Sequence, residues 1–171
     1  MLNTIGDMTL QRQINLILER NPTWKSNSRI VGQAAEEWVE LNLSCFRCGG
    51  KLTQYPNNQP GKDLNCASCG KDYQLKAGKN VKVNRNGILK ITGAEYSKTL
   101  ASHRDNSEID YIFVGYNARH TITFFGLVHS EDMREEYIIP RKPLSAGARR
   151  AGWQGCYLEI PKSQIQTKLS V

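Results

Sequence analysis

The chain has 171 residues, 39% of them hydrophobic, which suffices for one domain with its own core but is short for two. A formal charge of +7 favours a polyanionic partner only weakly, because many basic proteins merely carry solvated lysines. Polar side chains interrupt residues 1–18, and no stretch of about 18 apolar residues occurs. We therefore expect neither a secretory signal nor a membrane span, and a cytoplasmic location.

Two amphipathic helices are predicted near the N-terminus. Apolar residues recur at helical spacing over 9–20, and the Asn-Pro pair at 21–22 ends that helix. The polar run 24–28 offers residues that can cap a second helix, whose apolar stripe covers 30–39 and which also carries Glu36.

Strands dominate the later part of the chain. Residues 45–72 contain too few large apolar side chains for a core of their own, so another device must hold them. Residues after 160 are polar and are expected to fray. The order of helices and strands predicts an α/β or α+β fold. The predicted elements are a strand over 73–76, a hairpin over 81–91 that turns at 86–87, a helix over 94–103, and strands over 111–116, 121–128 and 137–140.

Four cysteines form two CxxC pairs, each followed by glycine. Cys45 and Cys48 are separated by the 17 residues 49–65 from Cys66 and Cys69. Two such turns let four thiolates converge on Zn²⁺, whereas four unrelated buried cysteines would not produce two CxxCG turns. An all-cysteine set leaves no open position for water, so a structural zinc ribbon over about 44–72 is predicted. The fifth cysteine, at position 156, is expected to be a small core residue.

An acidic residue and a polar strand suggest a second metal site. Gln74 and Lys76 share one face of the predicted strand while Leu75 points to the core, and a zinc-fixed loop could bring Asp63 beside them. Two oxygen ligands for Mg²⁺ and a lysine that activates water are the arrangement of PD-(D/E)xK nucleases. The pattern alone is weak, because a solvated loop aspartate and an alternating edge strand give the same letters.

Several segments, in the same order along residues 24–160, resemble the catalytic domain of the DpnI family of methyl-directed restriction endonucleases. The run over 141–156 is the most specific of them. Besides the CxxC pairs, Asp63 and Leu75-Lys76, these segments are Trp24-Lys25-Ser26-Asn27-Ser28, Glu36-Glu37-Trp38-Val39, Asn57-Asn58-Gln59-Pro60, Arg141-Lys142-Pro143-Leu144 and Ala148-Arg149-Arg150-Ala151-Gly152-Trp153-Gln154-Gly155-Cys156.

The resemblance implies a single PD-(D/E)xK domain over 1–171, with a mixed sheet, flanking helices and an inserted zinc ribbon that uses all four paired cysteines. It implies hydrolysis of duplex DNA at GATC containing N6-methyladenine, in a bacterium or archaeon, with structural Zn²⁺ and catalytic Mg²⁺. Asp63 carries over as metal ligand and Lys76 as catalytic lysine, with Glu36 as a helix carboxylate that supports the metal. Gln74 and Leu75 complete the expected Mg²⁺ ligands.

Two departures from the family matter. Gln74 stands where the family has Glu, and a neutral amide binds Mg²⁺ less well than a carboxylate. The substitution is either natural or engineered. The family also continues into a C-terminal winged helix, whereas this sequence ends at Val171, so we expect either a truncated chain or a shorter relative.

A basic segment fits a DNA-contacting loop. Cations over 141–150 can bind phosphates or guanine, and Trp153 could pack on a base methyl. The alternative is a buried tryptophan with flanking solvated arginines. The three histidines are scattered singly and receive no role. The candidate DNA contacts are Lys25, Ser26, Asn57, Asn58, Arg141, Lys142, Arg149, Arg150 and Trp153.

Three functions remain open from the sequence. The first is an active Mg²⁺-dependent endonuclease acting on double-stranded, adenine-methylated DNA. The second is a DNA-binding module that reads its site without cutting, because Gln74 has weakened the metal site. The third is a zinc-ribbon protein with a purely structural role in a larger assembly. The sequence leaves the oligomeric state open.

Overall fold

A computed structural model of the chain describes residues 8–56, 59 and 61–167. It has three α-helices and nine strands in this part of the chain. They are α1 (Gln11–Arg20), α2 (Asn27–Asn42), β1 (Leu52–Gln54), β2 (Leu64–Cys66), β3 (Asp72–Lys79), β4 (Ile88–Glu95), α3 (Tyr96–Asp105), β5 (Asp110–Tyr116), β6 (Ile122–Val128), β7 (Ile138–Pro140), β8 (Gly155–Pro161) and β9 (Gln166–Thr167). Short 3-10 helices cover Ser130–Asp132, Glu135–Tyr137 and Lys162–Gln164.

A six-stranded mixed sheet forms the centre of the fold, in the order β1-β2-β3-β5-β6-β9. The β3–β5 pair is parallel, and the other pairs are antiparallel. Helices α1 and α2 cover one face with their apolar stripes, which explains their helical spacing of apolar residues. The side chains of this first core include Ile14, Ile17, Ala34, Trp38, Leu75 and Ile112.

A second layer covers the opposite face of the sheet. It is a three-stranded sheet in the order β4-β8-β7, with α3 beside it. Strand β5 is buried along its whole length because its alternate residues enter different cores. Ile112 and Val114 belong to the first core, and Tyr111 and Phe113 to the second. The mixed α+β architecture with flanking helices is as predicted.

Both N-terminal helices and the strand over 73–76 are confirmed. Ser26 caps α2, and its side chain accepts a hydrogen bond from the Arg29 backbone N–H at 3.4 Å. Strand β3 is longer than predicted, and α3 begins two residues later, since β4 continues to Glu95. The remaining three predicted strands correspond to β5, β6 and β7.

The hairpin predicted over 81–91 is confirmed at its turn, where the Asn84 N–H donates to the Ile88 carbonyl at 2.8 Å, but not along its arms. Its first arm forms only an isolated bridge from Val83 to Leu89, and β4 pairs with β8 instead. The Val81 backbone crosses close over β5, where its carbonyl oxygen would lie 2.0 Å from a Cβ at Gly115. This crossing draws the arm away from β4 and is possible only over glycine.

The C-terminal segment is also better ordered than predicted. Residues 161–167 do not fray, because β9 pairs with Gly126 and Leu127 and covers an edge of the main sheet. Residues 168–171 lie outside the described part. Strand β8 was missed, although Cys156, Leu158 and Ile160 alternate inward. Within the described residues, the structure contains no helix with the length and apolar character to cross a membrane.

Candidate active site and metal centre

The four paired cysteines converge on one point. Their sulfur atoms all lie within 4.8 Å of one another. The sulfurs of Cys45 and Cys69 are 3.6 Å apart, and those of Cys48 and Cys66 are 3.5 Å apart. Tetrahedral zinc with Zn–S bonds of about 2.3 Å places its sulfurs about 3.8 Å apart, and a disulfide needs about 2.05 Å. The group can hold one metal ion as a set of four ligands, as predicted.

The two CxxC turns, hereafter the first knuckle (Cys45–Cys48) and the second knuckle (Cys66–Cys69), have the same shape. The glycine after each pair has φ near +75°, and its N–H donates to the carbonyl of the first cysteine. Those bonds are 2.8 Å at Gly49 and 2.7 Å at Gly70. Glycine is needed here because other residues rarely adopt positive φ.

The segment between the knuckles is more tightly integrated than expected. Its strands β1 and β2 extend the main sheet instead of forming a separate ribbon. Leu52 and Leu64 are fully buried and belong to the first core. Two buried leucines therefore attach this otherwise polar segment to the domain.

Asp63 immediately precedes β2 and lies against β3. Its backbone N–H donates to the Tyr73 carbonyl at 2.9 Å, and its Oδ2 accepts from the Leu75 N–H at 2.7 Å. The carboxylate thus reaches the strand between Gln74 and Lys76, which agrees with the predicted approach. Burial raises the pKa of Asp63, and the Leu75 hydrogen bond and the Lys76 charge offset only part of that rise.

Gln74 and Lys76 point to the face opposite Leu75, which is 6% exposed and packs in the first core. Both half-buried side chains line a cavity of about 220 Å³ between β3 and the second layer. Ser102 and Lys98 of α3 add polar groups to its wall. The alternation predicted for this strand is confirmed.

Glu36 of α2 lies close enough to Asp63 and Lys76 to interact with their charges. Burial, the charge of Asp63 and the charge of Glu37 raise the pKa of Glu36 to about 8, and Lys76 counteracts this rise only partly. Glu36 and Asp63 also line a groove of about 670 Å³, whose other walls include Trp24 and Arg29. Two partly desolvated carboxylates, one of which raises the proton affinity of the other, form an environment that a divalent cation would stabilise.

At neutral and alkaline pH, Glu36 should therefore lower the free energy of unfolding of the chain in Mg²⁺-free buffer. Its folded pKa lies above the unfolded value, so the folded state is favoured below about pH 4.5 and loses stability as pH rises toward about 8. We expect Glu36→Gln to raise the free energy of unfolding by about 2–4 kcal/mol at pH 8.5, and by far less at pH 4.5. Urea unfolding at both pH values measures this. The same change at exposed Glu108 is the control, and an equal gain at both pH values would contradict the expectation.

A second group of possible metal ligands was missed by sequence reasoning. Asp110, His129 and Glu131 have ligand atoms within 4.8 Å of one another. However, Arg47 donates to Asp110 at 2.9 and 3.0 Å and to Glu131 at 2.6 Å, and Lys71 lies 3.2 Å from Asp110. These cations already neutralise the carboxylates, so a metal ion would have to displace a guanidinium.

The predicted DNA-contacting loop is an arm that continues the β7–β8 pair. Backbone hydrogen bonds of 2.9 Å join Arg141 to Gly155 and Leu144 to Trp153. Trp153 is half-buried, and the Arg150 guanidinium lies over its ring at 4.5 Å. Trp153 is thus not fully buried, which differs from the alternative of a buried tryptophan. The basic side chains of the arm are exposed; they are Arg141, Lys142, Arg149 and Arg150.

The other candidate contacts lie near the start of α2 and between the knuckles. Lys25 and Ser26 are exposed, and Ser26 is the cap of α2. Asn57 and Asn58 lie outside the described residues. Among the described residues, no hydrogen bond or ion pair links the 141–154 arm to Lys25 or Ser26.

A comparison with protein families supports the resemblance seen in the sequence. The model of a family described as DpnI, Dam-replacing family, matches residues 8–170, which is nearly the whole chain. The match includes the four clustered cysteines, Asp63, β3 and the basic arm. The chain therefore belongs to the DpnI, Dam-replacing family, and this membership indicates a restriction-type nuclease.

Proposed function

We propose that this chain is a single PD-(D/E)xK endonuclease domain that hydrolyses duplex DNA at GATC containing N6-methyladenine, with Mg²⁺ at the cutting site. One observation carries the site assignment. The Asp63 carboxylate accepts a hydrogen bond from the β3 main chain at Leu75, between Gln74 and Lys76. Glu36 is close enough for its pKa to respond to the charges of Asp63 and Lys76.

The fold supports this assignment through the elements that surround the cluster. Asp63 precedes a strand that runs antiparallel to β3, and β3 runs parallel to the buried β5. Helix α2 supplies Glu36 from the covered face. Glu36 thereby lies close enough to Asp63 and Lys76 for their charges to affect its pKa, although the three residues come from separate parts of the sequence. Gln74 and Lys76 line the cavity on the second-layer side of β3.

The donor set suits Mg²⁺, which prefers carboxylate and carbonyl oxygens. Asp63, the Gln74 amide oxygen and the Leu75 main chain would hold the ion, with Glu36 as a further carboxylate. When bound, Mg²⁺ would neutralise charge at the scissile phosphate and make bound water more acidic. Lys76 would hold the attacking water by a hydrogen bond and stabilise the developing negative charge.

The cysteine cluster would hold Zn²⁺ in a structural role. All four ligands are sulfur, and the sulfur spacing suits a closed tetrahedral site. Four thiolates and one Zn²⁺ ion would give this site a formal charge of −2. Zinc would thereby fix the loop that delivers Asp63, so the structural and the catalytic metal would be linked through one segment.

The exposed arm over 141–154 would contact DNA. Its four cations can bind phosphates or the guanine edge, and Trp153 offers an apolar surface for a base methyl group. Lys25 and Ser26 at the start of α2, and Asn57 and Asn58, are proposed as additional contacts. Double-stranded, adenine-methylated DNA is therefore the proposed partner.

Cleavage of one plasmid, prepared with and without adenine methylation at GATC, tests this function. We expect the chain to cut only methylated plasmid, and only with Mg²⁺. Gln74→Glu should increase the rate at low Mg²⁺ by about 10-fold or more, because a restored carboxylate charge strengthens metal binding. The control is Gln164→Glu, which adds the same charge at a distant position.

Gln74 favours one alternative, a module that binds methylated DNA without cutting it. A neutral amide at a metal-ligand position lowers affinity for Mg²⁺ and leaves DNA contacts unchanged. Under this alternative the unmodified chain binds methylated duplex in the absence of Mg²⁺ but leaves it uncut, and Gln74→Glu restores cutting. If neither chain cuts or binds methylated plasmid, both proposals are wrong.

A further inference from the structure

We propose that the first knuckle positions the catalytic strand β3 through two side chains, Tyr73 and Asp110, and so links the cysteine-bound metal to the cutting site. This inference rests on the proposed function, because it takes Gln74 and Lys76 of β3 as the cutting residues. It assigns Tyr73, Asp110 and Arg47 as positioning residues, which act through β3 and do not touch the DNA.

Tyr73 connects the strand to the metal cluster directly. Its side chain is fully buried, and its hydroxyl lies 3.1 Å from the Cys45 sulfur. A metal-bound thiolate can only accept, so this hydroxyl donates to the sulfur. The same hydroxyl accepts from the Phe46 N–H at 3.3 Å. The residue immediately before Gln74 is therefore bonded to both a metal ligand and the knuckle backbone.

Arg47, the third residue of the first knuckle, holds the neighbouring strand. Its guanidinium binds Asp110 through two hydrogen bonds of 2.9 and 3.0 Å. Asp110 is completely buried and also accepts from the Ser130 N–H at 2.8 Å. A two-pronged bond between an arginine and a buried carboxylate has one favoured geometry, so it fixes position as well as charge.

The contacts of the first knuckle with Tyr73 and Asp110 lie at the same register position of the adjacent strands β3 and β5. Tyr73 and Asp110 are direct partners in the parallel β3–β5 register. The knuckle therefore holds both strands where they begin, one residue before Gln74 and three before Lys76. A displacement at this level would be passed to the cutting residues along a continuous strand.

The rest of β3 has little other support on its β2 side. In the described part of the chain, β2 pairs with β3 only at Asp72 and Tyr73. At Leu75 the backbone N–H is bonded to the Asp63 carboxylate instead. Besides the packing of Leu75 in the first core, the stretch that carries Gln74 and Lys76 is held by β5 and by one candidate metal ligand. Its placement therefore depends in part on where β3 starts.

Tyr73→Phe removes only the hydroxyl and should leave the chain folded. We expect the cleavage rate at saturating DNA to fall about 10-fold to 100-fold, because small misplacement of catalytic groups is costly. The KM for DNA should stay within about twofold, since the arm over 141–154 is unaffected. The Mg²⁺ concentration for half-maximal rate should rise. Asp110→Asn, which keeps the shape but weakens the bond to Arg47, should act in the same direction.

A structural readout separates positioning from general loss of stability. Hydrogen exchange of residues 72–79, measured with the metal-loaded protein, should become faster in both variants. Exchange of residues 155–161 in β8 should stay unchanged, because β8 belongs to the other sheet. Tyr116→Phe is the matched control, since this buried tyrosine lies on β5 outside the proposed site.

The outcomes are distinct. Slower cutting with faster exchange confined to 72–79 supports the inference. Wild-type cutting and exchange in both variants would overturn it, and so would faster exchange in 72–79 and 155–161 alike, which indicates a merely structural role. If the unmodified chain and Gln74→Glu both fail to cut, the proposed function fails instead. In that case, hydrogen exchange of residues 72–79, measured with and without the cysteine-bound metal, still decides whether the first knuckle holds β3 in place.

Discussion

Asp63→Ala and Lys76→Ala are each expected to abolish cutting while leaving DNA binding largely intact. Asp63 is the carboxylate bonded to β3, so its loss removes the main charged ligand of the proposed Mg²⁺ site. Loss of one electrostatic catalytic group costs about 10²–10³-fold in rate, and loss of a proton-transfer group about 10²–10⁴-fold. Single-turnover cleavage and gel-shift titration of the same methylated duplex measure the two properties, in whichever background, unmodified or Gln74→Glu, cuts faster.

Two further variants make this test specific. Asp63→Asn keeps an oxygen that can accept from the Leu75 N–H but removes the charge, so it should be as inactive as Asp63→Ala and more stable. Lys79→Ala removes an exposed cation from the same strand and should cut normally. Unchanged cleavage by Asp63→Ala would show that the site assignment is wrong.

The sequence predicted those features in which a short stretch of chain contains the whole signal. Helix α2 buries one stripe, so the spacing of its apolar residues predicts both the helix and the side that carries Glu36. The CxxCG turns are equally local, and their spacing predicts the cysteine cluster. The same turns predicted that Asp63 approaches residues 74–76, because they constrain the loop that connects Asp63 to β3.

Long-range contacts were the part that could not be predicted. Arg47 and Asp110 are 63 residues apart, and nothing in either local pattern indicates that they meet. The one available signal was Asp110 itself, which begins an otherwise apolar strand. A buried carboxylate requires partners, so its position indicated that some cation or donor must meet it. In the same way, β9 exists because β6 offers a free edge, and a two-residue polar strand has no periodicity of its own.

The second large effect is expected from a substitution in the cysteine cluster. Cys66 is fully buried at the end of β2, and its sulfur lies 3.5 Å from that of Cys48. We expect Cys66→Ser to lose the metal, detach β1 and β2 from the sheet, and abolish both DNA binding and cutting. Structural zinc contributes about 10–16 kcal/mol of apparent binding free energy in zinc-finger peptides, so losing a ligand far exceeds a typical core substitution. Zinc content per chain and the thermal unfolding midpoint measure the effect.

Cys156→Ser is the matched control, because Cys156 is equally buried but lies in the second layer. Its sulfur donates to the Ala94 carbonyl at 3.5 Å, a bond that a serine hydroxyl can keep. This variant should retain one zinc per chain and cut methylated DNA. A Cys66→Ser chain that still bound zinc and cut DNA would mean that the cluster is not needed to hold Asp63. If it kept its fold and DNA binding but lost cutting alone, the cluster would act on β3 without supporting the rest of the domain.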